Sequence, residues 1–235
     1  METIMPLVLI FSLLPSVHGD NSTMECASCY LGESCQHKVN CTDAGMICVS
    51  LEVGDTFGGG SSDGVYKGCT SPRSCTPLVL TMSVMPGRQV RSNLACCATS
   101  GCNDQLTLSV PSTSSWKNGM YCPACENQNS SLCEGQTDTP CTGAEESCIS
   151  LEGVSIGNSN HNFSMRGCAT PSACTMKEND LMSFGGDVYR LTRNATCTNM
   201  GSLGALPSLA TLVFQGPPHI EGANVPLLGP SYSKE

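Results

Sequence analysis

Along Ile47–Val53 apolar side chains at 47, 49, 51 and 53 alternate with Cys48, Ser50 and Glu52. That is the period of a strand with one buried face. The glycine-rich run "GDTFGGGSSDG", from Gly54 to Gly64, then leads into "VYKGC", the return strand of a hairpin. Leu78, Leu80, Met82 and Val84 alternate in the same way, and Pro86–Gly87 supplies the turn that follows. No window carries a convincing amphipathic helical period. The pattern predicts an all-β chain built from hairpins.

The hairpins come in two sets. "CASCYLGESC" at Cys26 returns as "CPACENQNSSLC" at Cys122, "CVSLEVG" at Cys48 as "CISLEGV" at Cys148, and "YKGCTSPRSC" at Tyr66 as "MRGCATPSAC" at Met165. Cysteine steps run 3, 6, 6, 7, 21, 6, 21, 1 and 5 in the first set and 3, 8, 8, 7, 20, 6 and 23 in the second. Two tandem domains follow, at 20–103 and 122–198, each too small to hold together on burial alone. Between them, residues 104–121 are rich in Ser, Thr and Pro and read as a linker. It holds Trp116, the single tryptophan. That side chain is expected to pin the linker against one domain, the other reading being a ligand contact.

Composition sharpens this. Residues 1–19 contain an apolar core, Ile4–Leu14, followed by small residues at Val17 and Gly19. Though no Lys or Arg precedes that core, its length predicts a cleaved secretory signal and is too short to span a membrane. Removing it leaves all 18 cysteines in place, an even number that an oxidising compartment would pair. Aromatic residues make up only 5% of the chain, so covalent staples are expected to outweigh a large packed core. The formal net charge is -9, and Glu2 is the only charged side chain of the signal. Nucleic acid and anionic lipid would be repelled. Sequons at Asn21, Asn40, Asn129, Asn162 and Asn194 agree with a secretory route, Asn40 being unusual in having Cys41 inside its triplet.

Spacing alone leaves the disulfide connectivity open, because ten cysteines allow hundreds of pairings. The order is more telling: C-x2-C, two further cysteines, an interval of about 20, "GC" with a six-residue step, a second long interval, then "CCATSGCN" at Cys96–Asn103. This resembles the Ly6/uPAR family of three-finger domains, over both sets from Cys26 to Cys197. The resemblance implies a small, disulfide-rich, all-β fold of two tandem three-finger domains. It further implies that Cys26 bonds Cys48, Cys29 bonds Cys35, Cys41 bonds Cys69, Cys75 bonds Cys96 and Cys97 bonds Cys102. In the second set it implies Cys122 with Cys148, Cys125 with Cys133, Cys141 with Cys168 and Cys174 with Cys197. Asn103 would tie the end of the first domain to its palm. Neither the fifth bridge nor that asparagine recurs, since "TNMGSLGALP" follows Cys197. Closing a loop of about 20 residues stabilises by about 3 kcal/mol in the chain-entropy model. The missing bridge would close only a tiny loop, so its absence is expected to loosen the end of the second domain without unfolding it.

Within the family, "NGMYCPAC", "CTGAEESCISLEG" and "FSMRGCATPSAC" are similar to the phospholipase A2 inhibitor gamma type. That similarity implies a secreted, extracellular glycoprotein that binds and inhibits secreted phospholipase A2. The alternative is an extracellular ligand or adhesion module of the gamete-surface or pheromone-like kind, without inhibitory activity. An enzyme is not expected: His37, His161 and His219 stand in no catalytic signature, and the two C-x-x-C pairs are structural in a secreted chain. No metal or other cofactor is implied, and a homo-oligomer stays open. Contacts would come from hairpin tips: Met85, Arg88 and Arg91 in the first domain, and Phe184, Tyr189 and Arg190 in the second. Those same residues can equally be solvated turns with packed aromatics. The segment 199–235 reads as a disordered tail. Its apolar part, Leu203–Phe214, is broken by Pro207 and is followed by polar and proline-rich residues, unlike a lipid-anchor signal.

Overall fold

The computed structural model describes residues 23–57, 62–134, 137–157 and 160–199. The signal, Asn21, His219, parts of three hairpin tips and the segment from 200 onward lie outside the described residues. The first repeat contributes β1 (Glu25–Ser28), β2 (His37–Asn40), β3 (Ile47–Asp55), β4 (Ser62–Thr70), β5 (Leu78–Met85) and β6 (Arg88–Cys97). The second contributes β7 (Lys117–Asn127), β8 (Thr137–Thr142), β9 (Ser147–Ser155), β10 (Asn162–Ala169), β11 (Leu181–Phe184), β12 (Asp187–Leu191) and β13 (Thr196–Asn199). Among the described residues the only helical turns are Pro72–Ser74 and Pro171–Thr175, each opened by proline. The chain is all-β and disulfide-rich.

Each repeat is three antiparallel hairpins, and the turns follow from local chemistry. Gly87, at φ +80°, closes β5 onto β6, and Gly185–Gly186, both at positive φ, close β11 onto β12. Nine disulfides join Cys26–Cys48, Cys29–Cys35, Cys41–Cys69, Cys75–Cys96, Cys97–Cys102, Cys122–Cys148, Cys125–Cys133, Cys141–Cys168 and Cys174–Cys197. No cysteine is free.

The ends of the two repeats differ. Asn103 is fully buried, and its side chain accepts from Ala27 N at 2.8 Å while donating to Ala27 O at 3.1 Å and Val49 O at 3.0 Å. It ties the backbone of β1 at Ala27 to that of β3 at Val49. The second repeat closes instead with β13, which pairs along β9 from Ser147 to Ser150.

The stretch 104–121, read from composition as a linker, is ordered by the first repeat. Buried Lys67 donates to the carbonyls of Asn103 (2.7 Å), Asp104 (3.2 Å) and Leu106 (2.9 Å). Further along, Leu108 N donates to Glu52 Oε1 at 2.7 Å, and Asn93 donates to Ser109 O at 3.0 Å. Leu106, Leu108 and Val110 are half-buried while Gln105, Thr107 and Ser109 are exposed, an extended strap lying on β3 and β6. β3, expected to be half-buried, has Ser50 and Cys48 as deeply buried as Val49 and Leu51: the strap lies beside Glu52 on that face, and Cys48 sits among the disulfides of the palm. β7 then starts at Lys117, inside the supposed linker.

The two repeats share one sheet of eleven strands, in the order β11-β12-β9-β10-β5-β6-β3-β4, with β7, β8 and β13 off that path. β10 crosses the repeat boundary to pair with β5, Cys168 opposite Ser83 and Ala169 opposite Met82. A Cβ added to Gly167 would stand 2.2 Å from Ser83 O and 3.0 Å from Val84 Cα, so only glycine allows this approach. Around the crossing, Phe57, Leu80, Met82, Val84 and Val90 of the first repeat pack with Phe163, Met165, Met182, Phe184, Tyr189 and Leu191 of the second. Few aromatics predicted a small core. The repeats pool them, and one core spans both.

Two outcomes follow for stability. Asn103→Ala removes three buried hydrogen bonds to the backbone of the palm, and is expected to cost about 2–4 kcal/mol in denaturant unfolding with the disulfides intact. Gly167→Val drives a side chain into the β5 backbone, so calorimetry of the wild type should show one transition and of the variant two, the repeats melting separately.

Candidate binding surfaces

The six side chains expected at hairpin tips go mostly to the junction between repeats. Phe184 is 0% and Tyr189 4% exposed. Their rings stack at 4.6 Å, and Phe184 meets Phe57 of the first repeat at 5.1 Å. Arg88 lies over the Phe57 ring, 5.6 Å from its centroid, and its Nη1 bonds Glu126 Oε2 across the boundary at 2.6 Å. Arg91 donates to Pro111 O at 3.2 Å and holds the strap. Met85 is half-buried, and Arg190 alone of the six is exposed. The physical reason is the shared core: aromatic tips that an isolated domain would expose are the surface the other repeat covers.

Polar groups complete the same junction. Tyr30 OH donates to Asp187 Oδ1 and accepts from Val188 N at 3.0 Å. Burial, then the bond to Asp187, pushes this phenol up to about 12, so it stays a donor at any physiological pH. Buried Asp55 accepts from Gly185 N at 2.9 Å. On the other side of the sheet crossing, Glu145 is 1% exposed and accepts from Ser83 Oγ at 2.9 Å, Thr142 N at 2.9 Å and Thr142 Oγ1 at 3.2 Å. Burial raises its carboxyl above the ordinary 4.5, while those donors pull it back. It forms part of the wall of a cavity of about 200 Å³ lined by Val79, Leu80, Pro111 and Ala144.

The exposed apolar surface lies elsewhere. Trp116, expected to be packed, is 69% exposed. Its carbonyl accepts from Gly143 N at 2.9 Å, so the backbone is held while the indole faces solvent. Tyr121, on the solvent face of β7 opposite Pro140, is 51% exposed. A groove of about 520 Å³ runs past this region, lined by Met85, Pro86, Ser115, Lys117, Thr139 and Pro140. Leu132 is exposed on the loop beyond. Neither Tyr121 nor Leu132 stands out in the sequence. Tyr121 sits in "KNGMYCP", whose alternation becomes visible only if the strand is allowed to start at Lys117.

Of the sequons, Asn40, Asn129 and Asn194 are exposed and Asn162 is half-buried at the start of β10. The described residues gather two groups of three cysteine sulfurs, Cys26, Cys41, Cys69 and Cys122, Cys141, Cys168. All six are in disulfides and offer no thiolate to a metal.

Two repeats of three disulfide-pinned hairpins coincide with a model of the u-PAR/Ly-6 domain, which matches residues 22–105 and 118–203. The chain belongs to the u-PAR/Ly-6 domain family. Among curated relatives, a phospholipase A2 inhibitor of the gamma type from Gloydius brevicaudus siniticus is 25% identical over 166 residues, 70% of this chain and 82% of the inhibitor. The phospholipase A2 inhibitor NAI of Notechis ater is 26% identical, over 70% of this chain and 83% of its own. Protein RoBo-1 of Rattus norvegicus is 30% identical over 111 residues, 47% of this u-PAR/Ly-6 chain and 45% of the relative.

Glu145 makes a pH dependence testable. A carboxyl raised by folding contributes stability in full below 4.5 and loses it as pH rises through its folded value. Melting temperatures of wild type and Glu145→Gln, compared from about pH 4 to pH 8, should shift in favour of the variant as pH rises. A constant difference would show that Glu145 titrates as it does in the unfolded chain.

Proposed function

We propose that this chain is a secreted, N-glycosylated binding module, not an enzyme, and that it binds and inhibits secreted phospholipase A2. The observation that carries the reading is the exposed pair Trp116 and Tyr121 beside the groove along β7 and β8. Large aromatic side chains held in solvent on a disulfide-pinned strand are the kind of contact that dominates protein interfaces. Two relatives named as phospholipase A2 inhibitors, each aligned over most of its length, support the choice of target. With a net charge of -9 the chain is repelled by anionic lipid, so inhibition acts by covering the enzyme's lipid-facing surface and not by coating the membrane. The sequons at Asn40, Asn129 and Asn194 are placed where glycans can extend into solvent.

The test is a phospholipase assay with the purified, oxidised protein against several secreted isoforms. Inhibition should rise with the ratio of this protein to enzyme and not change with added lipid. Trp116→Ala and Tyr121→Ala should each weaken binding roughly tenfold, with unfolding midpoints unchanged because both side chains are exposed. Absence of binding and of inhibition at about micromolar concentration retires the reading. Binding without inhibition moves the chain to the ligand or adhesion alternative.

A further inference from the structure

β4 and β10 are the same strand in two copies of one repeat, and each has an edge turned away from its hairpin partner. In β10 that edge is filled. Arg166 pairs with Cys125 of β7, and two residues on, Cys168 pairs with Ser83 of β5. The contact continues where Thr170 N donates to Thr81 O at 3.0 Å and Thr81 N donates to Thr170 Oγ1 at 3.2 Å. Gly167 lets the β5 backbone come this close.

In β4 the first of these contacts recurs and the second does not. Lys67, the counterpart of Arg166, exchanges both backbone bonds with Cys29, at 3.0 and 3.1 Å. Backbone groups on one edge of an antiparallel strand recur every second residue, so the amide and carbonyl of Cys69 face the same way as those of Lys67. Among the described residues the strand pairs only with β3 and, at Lys67, with Cys29. The corresponding Cys168 is the residue bonded to Ser83. The glycine is present too. A Cβ on Gly68 would meet only the phenol of Tyr66, at 3.2 Å, where one on Gly167 meets a whole strand. Beside this edge lies an open groove of about 330 Å³ whose lining includes Tyr66, Val39, Cys41 and Met46.

We propose that the Gly68–Thr70 edge of β4 is a strand-docking site, and that it takes an extended strand of a partner protein, paired antiparallel as β5 pairs with β10. The occupant is defined by the complex the molecule forms with itself. It presents an aliphatic residue opposite the glycine, as Val84 does, with a second apolar side chain two residues before it, as at Met82. Main-chain bonds supply affinity and the Tyr66-lined groove reads the alternate side chains. A second copy of this chain cannot offer the same strand, because its β5 edge is taken by its own β10 and every residue of β11 is buried. The occupant proposed is a strand of a different protein, and a dimer in solution paired β4 to β4 would overturn that choice. This site is separate from the Trp116 surface and does not depend on the phospholipase reading.

The probe is a fluorescent peptide of residues 77–91, titrated into the intact oxidised chain by polarisation, with hydrogen–deuterium exchange on the same complex. Expected are saturable binding and slowed exchange at the amides of Cys69 and Ser71, the counterparts of Cys168 and Thr170. Gly68→Val, which meets only a side-chain tip, should weaken binding at least roughly tenfold while melting like wild type. If that variant does not fold, the exchange data on the wild type carry the test. The proposal is overturned by no saturable binding up to about 100 µM, by unchanged affinity of a folded Gly68→Val protein, or by protection at Cys168–Thr170 in place of Cys69–Ser71.

Discussion

The approach of β5 to β10 at Gly167 is the contact on which the rest of the molecule depends. A strand can pass within hydrogen-bonding distance of its neighbour's backbone only where no side chain stands between them, and here a single Cβ would leave 2.2 Å. Because the strands meet, two three-hairpin repeats become one sheet. The hairpin tips of the second are then laid over the first. Phe184 and Tyr189 go to the interior, Arg88 finds Glu126, and Tyr30 finds Asp187.

The division of labour between covalent and non-covalent forces follows. Within a repeat the disulfides and, in the first, Asn103 hold the palm. None of the nine disulfides joins the repeats to each other, so the junction rests on burial and hydrogen bonds. The strap from Asn103 to Pro111 is held on the first repeat, its backbone tied to Lys67, Glu52, Asn93 and Arg91. The buried ammonium of Lys67 donates to three of the strap's carbonyls, so neither the charge nor those carbonyls lack a partner.

How much of this is legible in the sequence depends on the range of the cause. The alternation at Leu78–Val84 and the Pro86–Gly87 turn are local, and they appear as β5 and its hairpin. The strap's own alternation, Leu106, Leu108 and Val110, is equally local but is hidden by the Ser, Thr and Pro around it. Composition marks a linker where period marks an extended segment. Trp116 and Phe184 exchange the environments expected of them, the first packed and the second at a tip. Both expectations assume that each repeat buries its aromatics alone.

The sequence by itself determined the all-β class, the two repeats and the u-PAR/Ly-6 family, because hydrophobic period and cysteine order act over short separations or as a count. Only the tertiary structure decided which faces remain for a partner. That choice is made by the pairing of β5 with β10, more than 80 residues apart, whose sole local trace is a glycine at 167. The same glycine occurs at Gly68, where among the described residues only its hairpin partner β3 lies beside it. No local pattern distinguishes the two. The difference lies in what the rest of the chain brings to each edge.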